Sequence, residues 1–144
     1  MQILENSTVS LLDFAFQAAG GDGVVSDQEI KALASNSNLM KVLKSLDINT
    51  QLKSEFLIRE EEDSREYLKA VTESDINFSI DRFYLAGSRI SAISLQPLAI
   101  AFAIYVSSSD GLDDKENSLI LDQKATWDCE EEDINLYLEK LKET

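Results

Sequence analysis

Apolar residues recur along this chain mostly three and four positions apart, the spacing of one face of a helix. Val9, Leu12, Phe16 and Ala19 put an apolar stripe on a first helix. Ile30, Leu33 and Ala34 begin a second, and Leu39, Val42, Leu43 and Leu46 form a third that is entered at Ser37. Leu52, Phe56, Leu68 and Val71 carry the pattern through a charged middle, and Ile80, Phe83, Gly87 and Ile90 mark another helix. Leu119 with Ile120, then Ile134, Leu138 and Leu141, complete the set. Strict alternation of apolar and polar residues is scarce, and EFLIRE at 55–60 is the one short ambiguous stretch. The pattern predicts an all-α domain of seven or eight helices in a compact bundle.

Residues 97–106, PLAIAFAIYV, depart from the striped pattern because they are apolar nearly all round. A membrane span needs about 20 such residues, so a buried central helix is expected, with Pro97 in its first turn. The opening MQILENSTVS lacks a basic segment followed by an apolar run, and a cytoplasmic location is expected.

The length of 144 residues suits a single domain, 1–144, and a 44% hydrophobic content supplies a real core. Charge changes the picture of partners. A formal net charge of −14 disfavours nucleic acid and anionic membrane surfaces and favours cations or basic protein surfaces. The chain has no histidine and one cysteine, Cys129. That removes Ser-His and Cys-His nucleophile arrangements and most zinc sites; no zinc, haem or nucleotide cofactor is expected. A metal site here would use oxygen ligands, and calcium, magnesium or manganese is the expected cation. Acidic neighbours oppose thiolate formation at Cys129, which with Trp127 reads as a packing residue.

The acidic runs Glu60-Glu61-Glu62-Asp63 and Glu130-Glu131-Glu132-Asp133 each precede or open an apolar-striped helix, where negative charge complements the helix dipole. Asp128 with Glu131 has capping-box spacing.

One motif occurs twice. GGDGVVSDQE at 20–29 matches SSDGLDDKE at 108–116, with one residue fewer after the Asp-Gly. Asp22-Gly23 corresponds to Asp110-Gly111, and Ser26 with Glu29 to Asp113 with Glu116. Four of the five glycines fall at these two connections. Gly23 and Gly111 can close the incoming helix, and Ser26 and Asp113 can cap the outgoing one. The duplication predicts two approximately repeated helical pairs.

The tail of the first copy fits a calcium loop, with Asp22 at the fifth position, Gly23 at the sixth, Ser26 at the ninth and Glu29 at the twelfth. The front does not fit, since Ala18 and Gly20 stand at positions one and three. In the second copy Asn117 stands at the twelfth position. An EF-hand is therefore rejected. Two readings of the acids remain side by side. As first-turn residues, Asp27, Glu29, Asp114 and Glu116 complement the helix dipole. Asp22 and Asp110 stand at helix C-terminal ends, where carbonyl oxygens and a carboxylate together suit a hard cation.

These two segments, AAGGDGVVSDQEIKAL at 18–33 and AIYVSSSDGLDDKENSLI at 103–120, resemble the repeats of the TerB-like domain of bacterial tellurite-resistance proteins, a domain related to the N-terminal domain of the DjlA co-chaperones. The resemblance covers roughly residues 5–140. It implies an all-helical domain with an approximate two-fold arrangement that binds metal through paired acidic motifs. Carried over position by position, it implies Asp22 and Asp110 as motif aspartates, Glu29 and Glu116 as motif glutamates, and Asp113 and Asp114 as extra acids of the second copy. The chain departs from the pattern in placing Ser26 where a second acid would help, and in the shortened second copy.

Three functions follow as expectations. The first is a non-enzymatic, stress-related binding or scaffold domain, coupled to a divalent cation and to a protein partner that is basic or membrane-associated. The second is an acidic protein-binding module that docks a basic partner without metal. The third, a hydrolase using paired carboxylates, lacks an accompanying aromatic cleft pattern, since aromatics are 8% of the chain and fall mostly on apolar stripes.

Overall fold

In the computed structural model, residues 7–20, 26–34, 62, 65–71, 73, 79–90, 95–110 and 114–142 are described. They form helix α1 (Ser7–Ala19), α2 (Asp27–Ala34), α3 (Ile80–Ser88), α4 (Gln96–Ser107), a 3-10 turn (Ser108–Asp110), α5 (Asp114–Trp127) and α6 (Glu131–Lys142). Residues 65–71 are also helical. The all-α reading is borne out: among the described residues there is no strand. The stripes expected at 39–46, Leu52 and Phe56 and the EFLIRE stretch lie outside the described residues.

Helix α4 is the centre. A helix apolar on every side can satisfy its surface only by being enclosed, and Leu98, Ala99, Ile100, Ala101, Phe102, Ala103 and Val106 are all buried. Helices α1, α2, α5 and α6 pack around it. Pro97 occupies its first turn, where a missing N–H costs nothing. Among the described residues no helix is long and apolar enough to cross a membrane.

Helix α1 corrects the sequence reading. A single apolar stripe was expected, but Leu11 through Gly20 are all buried, including the polar Asp13 and Gln17. The small Ala15, Ala18 and Ala19 let neighbouring helices close on the remaining sides. Phe14 stacks on Phe83 of α3 with ring centroids 4.9 Å apart and touches Trp127 of α5 at 5.4 Å. Burying such a ring contributes about 1.5–3 kcal/mol. Trp127 and Cys129 are partly buried against this core, as packing residues should be.

Helix α3 keeps Phe83, Ala86, Gly87 and Ile90 inside, but Ile80, assigned to the same stripe, is exposed. Ile80 is the first residue of the helix. Ser79 caps this helix: its Oγ accepts from Arg82 N at 3.0 Å.

The start of α6 carries a second correction. Asp128 does not cap it. Asp128 has a positive φ of 53°, Asp128 N donates to Ala125 O, and Cys129 N donates to Lys124 O. This is the Schellman closure of α5, with an aspartate in the left-handed position usually held by glycine. The acidic first turn Glu131-Glu132-Asp133 does fall at the α6 N-terminus, as expected from the dipole, and Glu131 pairs with Lys124 of α5.

Candidate functional site

Both copies of the repeated motif lead into a helix that packs on α4, namely α2 and α5. In the first copy the capping box forms completely. Glu29 N donates to Ser26 Oγ at 3.1 Å, and Ser26 N donates to Glu29 Oε1 at 2.9 Å. Two free amides of the α2 start are thereby satisfied by two side chains. In the second copy α5 begins at Asp114, with Asp114 and Glu116 in its first turn.

Burial separates the sequence-predicted residues. Glu29 and Glu116 are each only 2% exposed. Asp114 is exposed, as is Asp27. Asp22 and Asp113 lie outside the described residues. Asp110 is placed by its backbone, as the last residue of the 3-10 turn. Capping accounts for a glutamate at these positions but not for its burial, because a helix N-terminus can meet solvent. Burial follows from packing: α2 rests on α1, on α4 and on the 3-10 turn, and α5 rests on α4 and α1. Keeping a carboxylate ionised away from water requires compensating hydrogen bonds or positive charge.

The structure adds a residue that sequence reasoning missed. Ser107, the last residue of α4, is fully buried, and among the described residues its Oγ has no hydrogen-bond partner. It immediately precedes the 3-10 turn that packs on α2. Buried hydroxyls are ordinarily satisfied, so this oxygen is an orphan donor and acceptor beside the second motif. Carboxylate and hydroxyl oxygens are the donor types a hard cation takes. Among the described residues, however, no three acidic side chains gather into a metal-sized group. Asp22 and Asp113, which a shared site would also need, lie outside the described residues.

Away from this region, three polar ties organise the elements. Tyr67 Oη donates to Asp13 Oδ1 at 2.7 Å inside the core. Burial, then the charge and hydrogen bond of Asp13, push the Tyr67 phenol far above its ordinary range, with Arg82 acting in the opposite sense. Ser79 N donates to Gln17 Oε1 at 3.0 Å, so α1 also anchors the start of α3. On the surface, Tyr84 Oη donates to Asp122 Oδ2 at 2.7 Å, and that bond raises the Tyr84 pKa. Cys129 is a poor nucleophile: burial, reinforced by Asp128 and Asp133 and opposed by Lys124, pushes its thiol up. A shallow pocket of about 290 Å³ is lined by Ile80, Asp114, Lys115, Ser118 and Leu119.

A signal for the buried glutamates was present in the sequence as phase. Glu29 is in register with Leu33, four residues on, and Glu116 with Ile120 and Gln123, all of which are buried. Compared with known proteins, the chain matches no family model, no curated protein and no solved structure.

Proposed function

We propose that this chain is a non-enzymatic binding domain of the TerB-like type, serving as a scaffold or adaptor in a bacterial response to tellurite or related stress. In this reading it acts in the cytoplasm and holds a divalent cation between its two acidic motifs. The observation that carries the reading is the matched burial of Glu29 and Glu116, each 2% exposed in the first turn of the helix that follows its Asp-Gly connection. A hard cation is the kind of ligand that buried carboxylate oxygens suit. Asp22, Asp110, Asp113 and Asp114 supply the further oxygens.

Thermal melts with calcium, magnesium, manganese and chelator test this. A ligand at about 100 times its Kd stabilises by about 2.7 kcal/mol, which is a readable shift. The shift should vanish in a Glu29→Gln, Glu116→Gln double variant. No shift with any of the three metals at millimolar concentration removes the cation from the proposal.

A second reading, an acidic module that docks a basic protein without metal, is favoured by a different observation. Glu130, Glu131, Glu132 and Asp133 are all exposed at the start of α6. Binding to a basic partner through this run would weaken steeply with salt. Charge reversal at Glu132 and Asp133 should lower the association rate, and an unchanged rate counts against it.

A further inference from the structure

Helix α3 is covered on one side only, through Phe83, Ala86 and Gly87, and it packs mainly on α1. Its other residues from 80 to 89 are exposed. Of the five large apolar residues exposed among the described residues, three stand here: Ile80, Tyr84 and Leu85, at 55%, 42% and 50%. Such a cluster, unlike scattered single residues, marks an interaction surface. Two arginines edge it. Arg82 and Arg89 are seven positions apart, which puts them about 10.5 Å apart along the axis and within about 20° of one another around it. Leu85 lies between them, turned about 40–60° to one side, and Asp81 is turned further the same way. Among the described residues neither arginine is in an ion pair. Arg82 acts on the Tyr67 phenol, so this edge borders residues 65–71, where the exposed charges are Arg65, Lys69 and one acid, Glu66. In a chain of net charge −14, a free arginine pair beside an exposed leucine is a local reversal of sign.

We infer that this face of α3 docks an acidic amphipathic helix of another protein, with an apolar side chain on Leu85 and a carboxylate on each of Arg82 and Arg89. Charge selects the occupant. Where two helices lie antiparallel, the position three before the central residue of one faces the position four after the central residue of the other, because both lie on the same side of the contact. A partner helix with the pattern Glu-x-x-Leu-x-x-x-Glu therefore sets one carboxylate against each arginine, and such pairs are strengthened by bidentate hydrogen bonding. An antiparallel second copy of this chain is disfavoured by the same rule, since it would set Arg89 against Arg82. Ile80 and Tyr84 extend the apolar contact on the flank that borders α5. Recognition of this kind reads apolar anchors on one face of a helix, with charge fixing its register. One helix on one helix is smaller than a standard interface, so the contact is weak and transient. The inference depends neither on a bound cation nor on the acidic run at the start of α6.

The test is fluorescence anisotropy with a labelled, alanine-based helical peptide carrying Glu-x-x-Leu-x-x-x-Glu, at about 0.15 M salt, where net-charge repulsion is screened beyond about 8 Å. The peptide should bind saturably, and a version with glutamine for both glutamates should bind about tenfold more weakly. The double variant Arg82→Glu with Arg89→Glu, and separately Leu85→Ser, should each weaken the glutamate peptide by about tenfold or more. A peptide with lysine for both glutamates should bind the double variant about tenfold more tightly than it binds the parent chain, a reversal that misfolding does not produce. Circular dichroism melts check that the variants fold. Vesicles of phosphatidylglycerol and phosphatidylcholine form a second arm, because arginines beside apolar side chains also suit an anionic lipid surface. Absence of saturable peptide binding, binding indifferent to the arginine and leucine variants, or capture by the vesicles alone overturns the proposal.

Discussion

The hydroxyl of Tyr67 donates to Asp13 Oδ1 at 2.7 Å, and the two residues, 54 positions apart, are 8% and 6% exposed. This bond ties the helical residues 65–71 to α1 inside the core. Tyr67→Phe leaves a buried carboxylate oxygen without its donor, and should destabilise by about 1–3 kcal/mol in urea unfolding. The pH dependence has a definite sign. The folded-state pKa of Tyr67 lies far above the unfolded value, so the folded chain keeps a proton that the unfolded chain loses. The contribution is fully present below about pH 10 and is lost as pH rises above it. The variant should show a shallower alkaline loss of stability than the parent chain, though not a flat one, since the Tyr84 and Tyr137 phenols are raised too.

The reciprocal bonds between Ser26 and Glu29 fix the start of α2. Ser26→Ala should lower stability by about 1 kcal/mol, and Ser26→Asp should retain most of it. Equal melting temperatures for the alanine variant and the parent would mean that packing alone sets this helix boundary.

Gly87 sits where α3 meets α1 and α5. A Cβ built there would lie 2.8 Å from Gln123 Oε1, 3.1 Å from Gln123 Cδ and 3.5 Å from Phe14 Cε1. Helix propensity favours alanine over glycine by about 1 kcal/mol, whereas overpacking costs about 1–3 kcal/mol. Gly87→Ala should therefore be destabilising in the parent. In a Gln123→Ala background, where the crowding oxygen is gone, the same change should become stabilising. A double-mutant cycle with no coupling between positions 87 and 123 would contradict this account.

Asp128 holds a left-handed backbone conformation, φ 53°, at the C-terminal end of α5. Both the backbone conformation and the placement of a carboxylate at the negative pole are unfavourable. Asp128→Gly should raise stability by about 1 kcal/mol, and Asp128→Asn by a smaller amount, measured by thermal unfolding. A loss of stability in the glycine variant would reveal a role for the carboxylate beyond closing the helix.

Much of the fold was legible locally. The all-round apolar character of α4 announced a central helix, and Ser26-x-x-Glu29 announced a helix start that forms with both of its bonds. Asp128 shows the limit of such reading. Asp128-x-x-Glu131 has the spacing of a cap, yet the same aspartate serves the end of the preceding helix. Spacing cannot tell the two apart because both place a short polar side chain at a junction, and the backbone angle decides. Helix α1 shows another limit: its polar Asp13 and Gln17 look like the solvent side of a stripe, but Tyr67 and the Ser79 amide receive them inside the core.

The sequence by itself determined the helical class, the apolar centre, the duplicated Asp-Gly connections and the oxygen-only chemistry open to a metal, because these depend on periodicity, capping and residue type. Only the tertiary structure decided that Glu29 and Glu116 are buried while Asp114 and Asp27 are exposed. All four are acids in a first turn, alike in local chemistry; the phase of Glu29 with Leu33 and of Glu116 with Ile120 says only which residues share a side, not that the side is covered. Which of them loses its water depends on which side of α2 and α5 the rest of the chain packs against, and that is a property of contacts between elements distant in sequence.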